Sequence, residues 1–326
     1  MDIGIVGAGA WGTAISLVAS DNQHNVLLWA LEPEVVQEIN ATHANERFLP
    51  GAMLGGNVVA TGSLDDLRAC QMIILATPTQ YIRPVLGRLD LVDRVVVNLA
   101  KGIEIGTHYR VSEIVREVAA NTSSFAVLSG PSHAEEVMQR MPTTVVCASK
   151  DISVAEQVQT ALSTPAFRVY TSTDVVGVEI GGALKNIIAI AAGIIDGIGL
   201  GDNTKAALIS RGLAEIARLA SALGAEQQTL YGLAGLGDLF VTCSSRHSRN
   251  RLVGDRIGRG ETLQQITASM SAIAEGVTTT RAALELAASV GVELPITQKV
   301  AEILFEGHDP RQAIADLMMR QPRAEA

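Results

Sequence analysis

The feature that most restricts this chain lies at its start, where Ile3-Gly4-Ile5-Val6 runs directly into Gly7-Ala8-Gly9-Ala10-Trp11-Gly12. A β-branched run, then Gly-x-Gly-x-x-Gly, then a helix-forming segment from Thr13 to Ser20 reads as the opening of a dinucleotide-binding βαβ unit. Gly7 allows the tight turn, Gly9 lets the backbone approach a pyrophosphate, and Gly12 lets the helix lie close to the strand. The helix N-terminus then offers unpaired N–H groups to the anion. A nucleotide-free α/β protein can carry the same glycines in an ordinary turn. Here strand, loop, helix and a second strand at Val26–Trp29 follow in register.

Further apolar runs occur at Val58–Ala60, Met72–Ala76, Val95–Leu99, Phe125–Leu128, Thr144–Cys147 and Phe167–Tyr170, several of them separated by amphipathic stretches. Alternating strands and helices predict an α/β fold, a Rossmann-type, doubly wound and mostly parallel sheet with helices on both faces. After Thr173 the β-rich runs stop and helical patterns follow one another to the end, punctuated by Gly224, Gly260, Gly291 and Gly307 as C-terminal stops. With 326 residues the chain suits two domains. The expected division is a dinucleotide-binding domain over 1–173 and an all-α substrate-binding and catalytic domain over 174–326.

The net charge of −9 argues against a protein that coats nucleic acid or an acidic membrane. Cys70, Cys147 and Cys243 show no metal-ligand spacing, so no metal is expected and reduced thiols are. No basic, cleavable leader is read at Met1, and the most apolar stretch, Ile187 to Ile195, is about half of a bilayer span. A cytoplasmic protein with no membrane insertion is the expectation. The Ala-rich helical half is compatible with a homodimer.

Glu32 lies 20 residues after Gly12, where a carboxylate would bind the adenosine ribose hydroxyls; alternatively it only starts the next helix. The first Arg or Lys of the chain is Arg47, so no neighbour in sequence matches the extra phosphate of NADP. Lys101-Gly102 and Gly130-Pro131-Ser132 each follow a strand at the ligand side of such a sheet, and Ser132 with Glu135 reads as a capping box. Lys185 sits in an otherwise apolar helix behind Gly181-Gly182. It is either a buried amine whose pKa falls toward a value useful for proton transfer, or a lysine that snorkels to water. Gly235-Leu236-Gly237-Asp238 reads as a glycine-rich turn, its carboxylate either a cap or a partner for a substrate hydroxyl. Ser248-Arg249-Asn250-Arg251 places cations at a helix start, which a bound phosphate would explain and a solvated charge cluster would explain as well.

Taken together, Gly7 to Thr13, Leu75-Ala76-Thr77-Pro78, Lys101-Gly102, Ser129-Gly130-Pro131-Ser132, Gly182-Ala183-Leu184-Lys185-Asn186, Gly235-Leu236-Gly237-Asp238, Ser248-Arg249-Asn250-Arg251 and Ala274-Glu275-Gly276 resemble the NAD(P)-dependent glycerol-3-phosphate dehydrogenase family along nearly the whole chain. The resemblance implies hydride transfer between NAD(P)H and dihydroxyacetone phosphate, giving sn-glycerol 3-phosphate for glycerophospholipid synthesis. It makes Lys185 the general acid/base. Lys101, Gly130, Ser132, Lys185, Asp238, Ser248, Arg249 and Asn250 become substrate-binding positions. Ala10, Trp11, Lys101, Ala134, Arg249, Ile273 and Glu275 join Gly7, Gly9 and Gly12 as dinucleotide contacts.

Three departures from the family pattern stand out: His133 where a Phe is usual, Gly55-Gly56 in a loop where many relatives have Pro, and Leu31 in place of an Arg suited to NADP. NADH against NADPH is therefore left undecided. The rival readings are a 3-hydroxyacid or 6-phosphogluconate-type dehydrogenase, whose plan is similar, and a non-catalytic NAD(P)-sensing module.

Overall fold

The computed structural model describes residues 1–119, 124–270 and 274–321. Eight strands form one sheet: β1 (Asp2–Val6), β2 (Asn25–Trp29), β3 (Val58–Thr61), β4 (Met72–Leu75), β5 (Val95–Asn98), β6 (Ser124–Ser129), β7 (Thr143–Ala148) and β8 (Phe167–Ser172). Their spatial order is β3-β2-β1-β4-β5-β6-β7-β8, and every pair is parallel except the antiparallel β6 and β7. Within the first strands the winding direction reverses at β1, which lies between β2 and β4. Ligands of doubly wound sheets bind at such a switch point, outside the carboxyl ends of the strands.

The helices accompanying the sheet are α1 (Ala10–Asp21), α2 (Pro33–Thr42), α3 (Ile82–Leu86), α4 (Val111–Val118), α5 (Ala134–Met138) and α6 (Ile152–Leu162). Successive side chains point to opposite faces, so Met72 and Ile74 join one apolar cluster while Ile73 and Leu75 join another. Burial on both faces is why the inner strands β4 and β5 read as continuous apolar runs, while the edge strand β8 alternates.

The second half contains α7 (Val175–Ile198), α8 (Asp202–Ala222), α9 (Gln227–Tyr231), α10 (Asp238–Ser244), α11 (Arg249–Gly258), α12 (Leu263–Ser269), α13 (Glu275–Ser289), α14 (Pro295–Glu306) and α15 (Pro310–Met318). The long helix α7 is its axis. Though α7 is long and apolar enough to cross a bilayer, 94% of its apolar window is buried inside the fold, which makes it a core helix. Gly193 and Gly254 let α7 and α11 touch: a Cβ on either would lie 1.9 Å from a carbonyl oxygen of the other helix. At the other end of this contact a Cβ on Gly276 would lie 2.7 Å from the Asn186 carbonyl oxygen and 2.8 Å from Asn250 Oδ1, which sets the N-terminus of α11 beside the Lys185–Asn186 turn of α7. All three cysteines are free and buried, and burial pushes the Cys147 and Cys243 thiols up to about 12.

Three local expectations are corrected. The first helix begins at Ala10, inside the glycine motif, because its N–H groups are what the loop presents. Ser132 does not make a capping box with Glu135: α5 starts at Ala134 with His133 at its N-cap, and the Ser132 hydroxyl donates instead to the Gly130 carbonyl at 2.9 Å. Leu233–Gly237 is a π-helical segment leading into α10, not a turn. The glycines that suggested a turn leave room for close packing, since a Cβ on Gly235 would lie 2.0 Å from the Leu230 carbonyl oxygen.

Candidate active site

The glycine loop has the shape its chemistry requires. Gly7 takes a φ of +117°, and a Cβ on it would lie 3.0 Å from the backbone of Ala76, which follows β4. A Cβ on Gly12 would lie 1.8 Å from the Gly7 carbonyl oxygen, so only glycine allows α1 to start this close to β1. Above Gly9 there is nothing within 4 Å of a would-be Cβ. No side chain caps α1 and no acidic residue lies in its first turn, so its N–H groups remain available to an anion. Across the turn the buried Thr77 Oγ1 has no hydrogen-bond partner. Open space at Gly9, free N–H groups and unused polar capacity together fit a dinucleotide pyrophosphate.

At the carboxyl end of the same sheet three charged side chains meet. Lys101, just past β5, donates to Asp238 Oδ2 at 2.7 Å and to the Gly130 carbonyl at 3.1 Å. Lys185, on α7, donates to Asp238 Oδ1 at 2.5 Å and to Thr242 Oγ1 at 2.8 Å. Lys185 is 5% exposed and Asp238 is 1% exposed, so snorkelling is ruled out. Burial lowers the Lys185 pKa to about 8; the Asp238 carboxylate opposes that shift and the Lys101 ammonium adds to it. Burial alone would push Asp238 upward, but the two ammoniums outweigh it and hold the carboxyl below its usual range. A lysine that titrates near neutrality, fixed by a carboxylate beside a second cation, can give a proton to a carbonyl oxygen or take one from an alkoxide.

The glycines before Lys185 make this meeting possible. A Cβ on Gly181 would lie 2.6 Å from the Ala234 carbonyl oxygen, and one on Gly182 would lie 2.9 Å from Ser129 Oγ and 3.5 Å from Lys101 Cγ. Asp238, as the first residue of α10, follows the π-helical segment, a type of irregularity often found at functional sites.

The cation-rich run divides by role. Ser248 caps α11, its hydroxyl accepting from Arg251 N at 3.2 Å. Asn250 is buried and accepts from Gly276 N at 2.9 Å, which ties α11 to the start of α13. Arg251 turns away onto Asp196, 2.6 Å from its carboxylate. Arg249 remains exposed, close enough to Glu275 to act on its titration. Glu275 accepts from Thr79 N at 2.9 Å and from Thr79 Oγ1 at 3.1 Å, docking α13 against the chain after β4. Burial raises its pKa, against the opposing effects of Thr79 and Arg249. Ile273 lies outside the described residues.

In the loop after β6, Gly130 has a φ of +136° and Ala134 is buried at the first turn of α5. His133 packs 5.9 Å from the His247 ring, and its buried Nε2 has no partner. Burial lowers the His133 pKa, and the Lys185 charge lowers it further.

The structure thus gathers Lys101, Lys185 and Asp238 directly, and sets Gly130 and the α11 cap around them. It also shows participants that residue patterns did not single out. Thr242 bonds both Lys185 and the Asp238 backbone, Asn186 Nδ2 donates to the Lys101 carbonyl at 3.2 Å, and Thr79 holds Glu275. The i, i+4 spacing of Asp238 and Thr242 was a usable signal once a helix was assigned there. Nothing local marks Thr79.

Comparison with known proteins places the whole chain in one family. The model of the NAD-dependent glycerol-3-phosphate dehydrogenase N-terminus matches residues 2–155, and that of the C-terminus matches 174–315. A glycerol-3-phosphate dehydrogenase [NAD(P)+] of Chlorobium phaeobacteroides is 49% identical, with 100% of this chain and 99% of the relative aligned. The protein of the same name from Geobacillus thermodenitrificans is 50% identical over 99% of this chain and 96% of its own length. Among solved structures, a glycerol-3-phosphate dehydrogenase from Coxiella burnetii superposes with a TM-score of 0.93 at 37% identity, covering 98% of this chain and 99% of that one.

Proposed function

The chain belongs to the NAD-dependent glycerol-3-phosphate dehydrogenase family, and from that premise we propose that Lys185, Lys101 and Asp238 form the centre that interconverts dihydroxyacetone phosphate and sn-glycerol 3-phosphate. The observation that carries this reading is the buried Lys101–Asp238–Lys185 bridge past the end of β5, at the carboxyl end of the sheet. NAD(P)H, when bound, supplies the hydride to the ketone carbon. The Lys185 ammonium gives its proton to the carbonyl oxygen as negative charge grows there, and the neutral amine takes a proton back in the reverse direction. Lys101 adds positive potential at the same oxygen. Asp238 holds both nitrogens in place.

Ser248, Arg249 and Asn250, at the N-terminus of α11, bind the substrate phosphate, with Gly130 and Ser132 on the facing loop. Holding the non-reacting phosphate orients the carbonyl toward Lys185. Gly7, Gly9, Ala10, Trp11 and Gly12 hold the pyrophosphate, and Lys101, Ala134, Arg249 and Glu275 complete the nucleotide contacts. We take residues 1–173 as the nucleotide-binding domain and 174–326 as the substrate domain; β8 ends at Ser172 and α7 begins at Val175, which supports that division. The product suits glycerophospholipid synthesis.

The test is loss of reduced-nicotinamide absorbance with dihydroxyacetone phosphate, using NADH and NADPH in parallel. Oxidation is expected with the phosphorylated ketone and not with dihydroxyacetone. Absence of oxidation with both cofactors, where binding is demonstrable, would overturn the assignment. Arg249→Ala is expected to raise the KM for dihydroxyacetone phosphate roughly 10–100-fold through loss of charge-assisted hydrogen bonds. An unchanged KM would remove Arg249 from the phosphate site.

A further inference from the structure

The adenosine end of the site contains a cation that the local sequence lacks. Glu32 is the N-cap residue of α2, three residues past β2, the position from which a carboxylate reaches the ribose hydroxyls in this type of sheet. A carboxylate there repels a 2′-phosphate, and no Arg or Lys precedes residue 47. The fold brings Arg47 back to it. After α2 the chain reverses at His43, whose φ is +53°, and returns toward the glycine loop. Asn45, fully buried, fastens the returning segment: its Nδ2 donates to the Ala8 carbonyl and to Thr13 Oγ1, both at 2.8 Å, and its Oδ1 accepts from Phe48 N at 3.3 Å. Ala8 belongs to the glycine motif, so the segment carrying Arg47 is tied to the pyrophosphate loop itself.

Between these anchors the Arg47 guanidinium lies 2.6 Å from Glu34 Oε1 and 4.0 Å from Glu32 Oε1, with its central carbon 5.1 Å from the centre of the Phe48 ring. Its side chain is 49% exposed, so the pair with Glu34 is weakly held and easily exchanged.

We propose that Arg47 sets the cofactor selectivity of this enzyme by leaving Glu34 to receive the 2′-phosphate of NADPH, while Glu32 accepts the 2′-hydroxyl of NADH. Arg47 then exchanges one anion for another, and its planar fork suits two phosphate oxygens at once. With NADH the guanidinium stays on Glu34, 2.6 Å away, and the Glu32 carboxylate, 4.0 Å from it, bonds the ribose. One adenosine pocket therefore serves both cofactors without an Arg at position 31. The inference rests on the dinucleotide reading of the glycine loop.

The experiment uses the full-length protein and adenosine 2′,5′-bisphosphate, which carries the discriminating phosphate and no nicotinamide. Direct binding is measured by calorimetry, alongside kcat/KM with NADPH and NADH. Arg47→Ala is expected to weaken the bisphosphate about 10–100-fold relative to 5′-AMP and to lower the NADPH/NADH preference by a similar factor. Arg47→Lys should restore part of both. Equal losses for the two cofactors, an unchanged preference, or a wild-type protein that binds the bisphosphate no better than 5′-AMP would overturn the proposal. A protein that passes the binding test but does not turn over dihydroxyacetone phosphate would sink the dehydrogenase reading and leave the role of Arg47 standing.

Discussion

Lys185→Ala is expected to lower kcat for dihydroxyacetone phosphate reduction about 10³-fold, within the range general acid catalysis contributes, while cofactor affinity changes little. The side chain is buried on α7, and its removal leaves Asp238 paired with Lys101. Loss of a stabilising partner is therefore partial, whereas loss of the proton donor is complete. The pH profile supplies a second reading of the same group. Ketone reduction needs the ammonium, so its rate should hold below the Lys185 pKa of about 8 and fall as pH rises through it. Glycerol 3-phosphate oxidation needs the neutral amine and should rise through the same region. In Lys185→Ala both limbs should disappear. Wild-type turnover in that variant, or unchanged limbs, would exclude Lys185 as the acid/base.

Asp238→Asn is expected to damage both stability and rate. Breaking a buried ion pair by removing one partner costs roughly 3–5 kcal/mol, and here one carboxylate serves two ammoniums. Lys185 would be left facing Lys101 without the anion that holds its pKa up, so its titration should move below about 8. The rate of ketone reduction at neutral pH should fall, and its descending limb should shift to lower pH. Urea denaturation and the pH–rate profile measure the two effects separately. A variant as stable as wild type, with the limb in place, would show that Asp238 does not organise the pair.

Much of this architecture was legible in the residues. All eight strands were visible as apolar runs; β4 and β5, buried on both faces, must be apolar along their length, whereas the edge strand β8 alternates buried and exposed residues. Most helices were visible from their periodicity and glycine stops: Gly224, Gly260, Gly291 and Gly307 all take positive φ. What escaped had a local cause. The short helices α9 and α15 are too polar and brief to carry a clear period, and the glycines around Leu236 disguised a π-helical segment as a turn. Ser132 looked like a cap because Glu135 stands three residues on, but the cap position depends on where the tertiary fold starts the helix.

The sequence by itself determined the strand–helix alternation of a mostly parallel sheet, the glycine loop and the identity of the chemical groups, since these follow from periodicities and spacings within a few residues. Only the tertiary structure decided which distant groups meet. Lys185 and Asp238 are 53 positions apart, Lys101 and Asp238 are 137 apart, and Asn45 reaches Ala8 across 37. Such pairings leave no local pattern. They are selected by packing, through the glycine contacts that bring the π-helical segment and α11 against α7 and through the reversal at His43, and burial then decides between the two readings of Lys185, lowering its pKa to about 8.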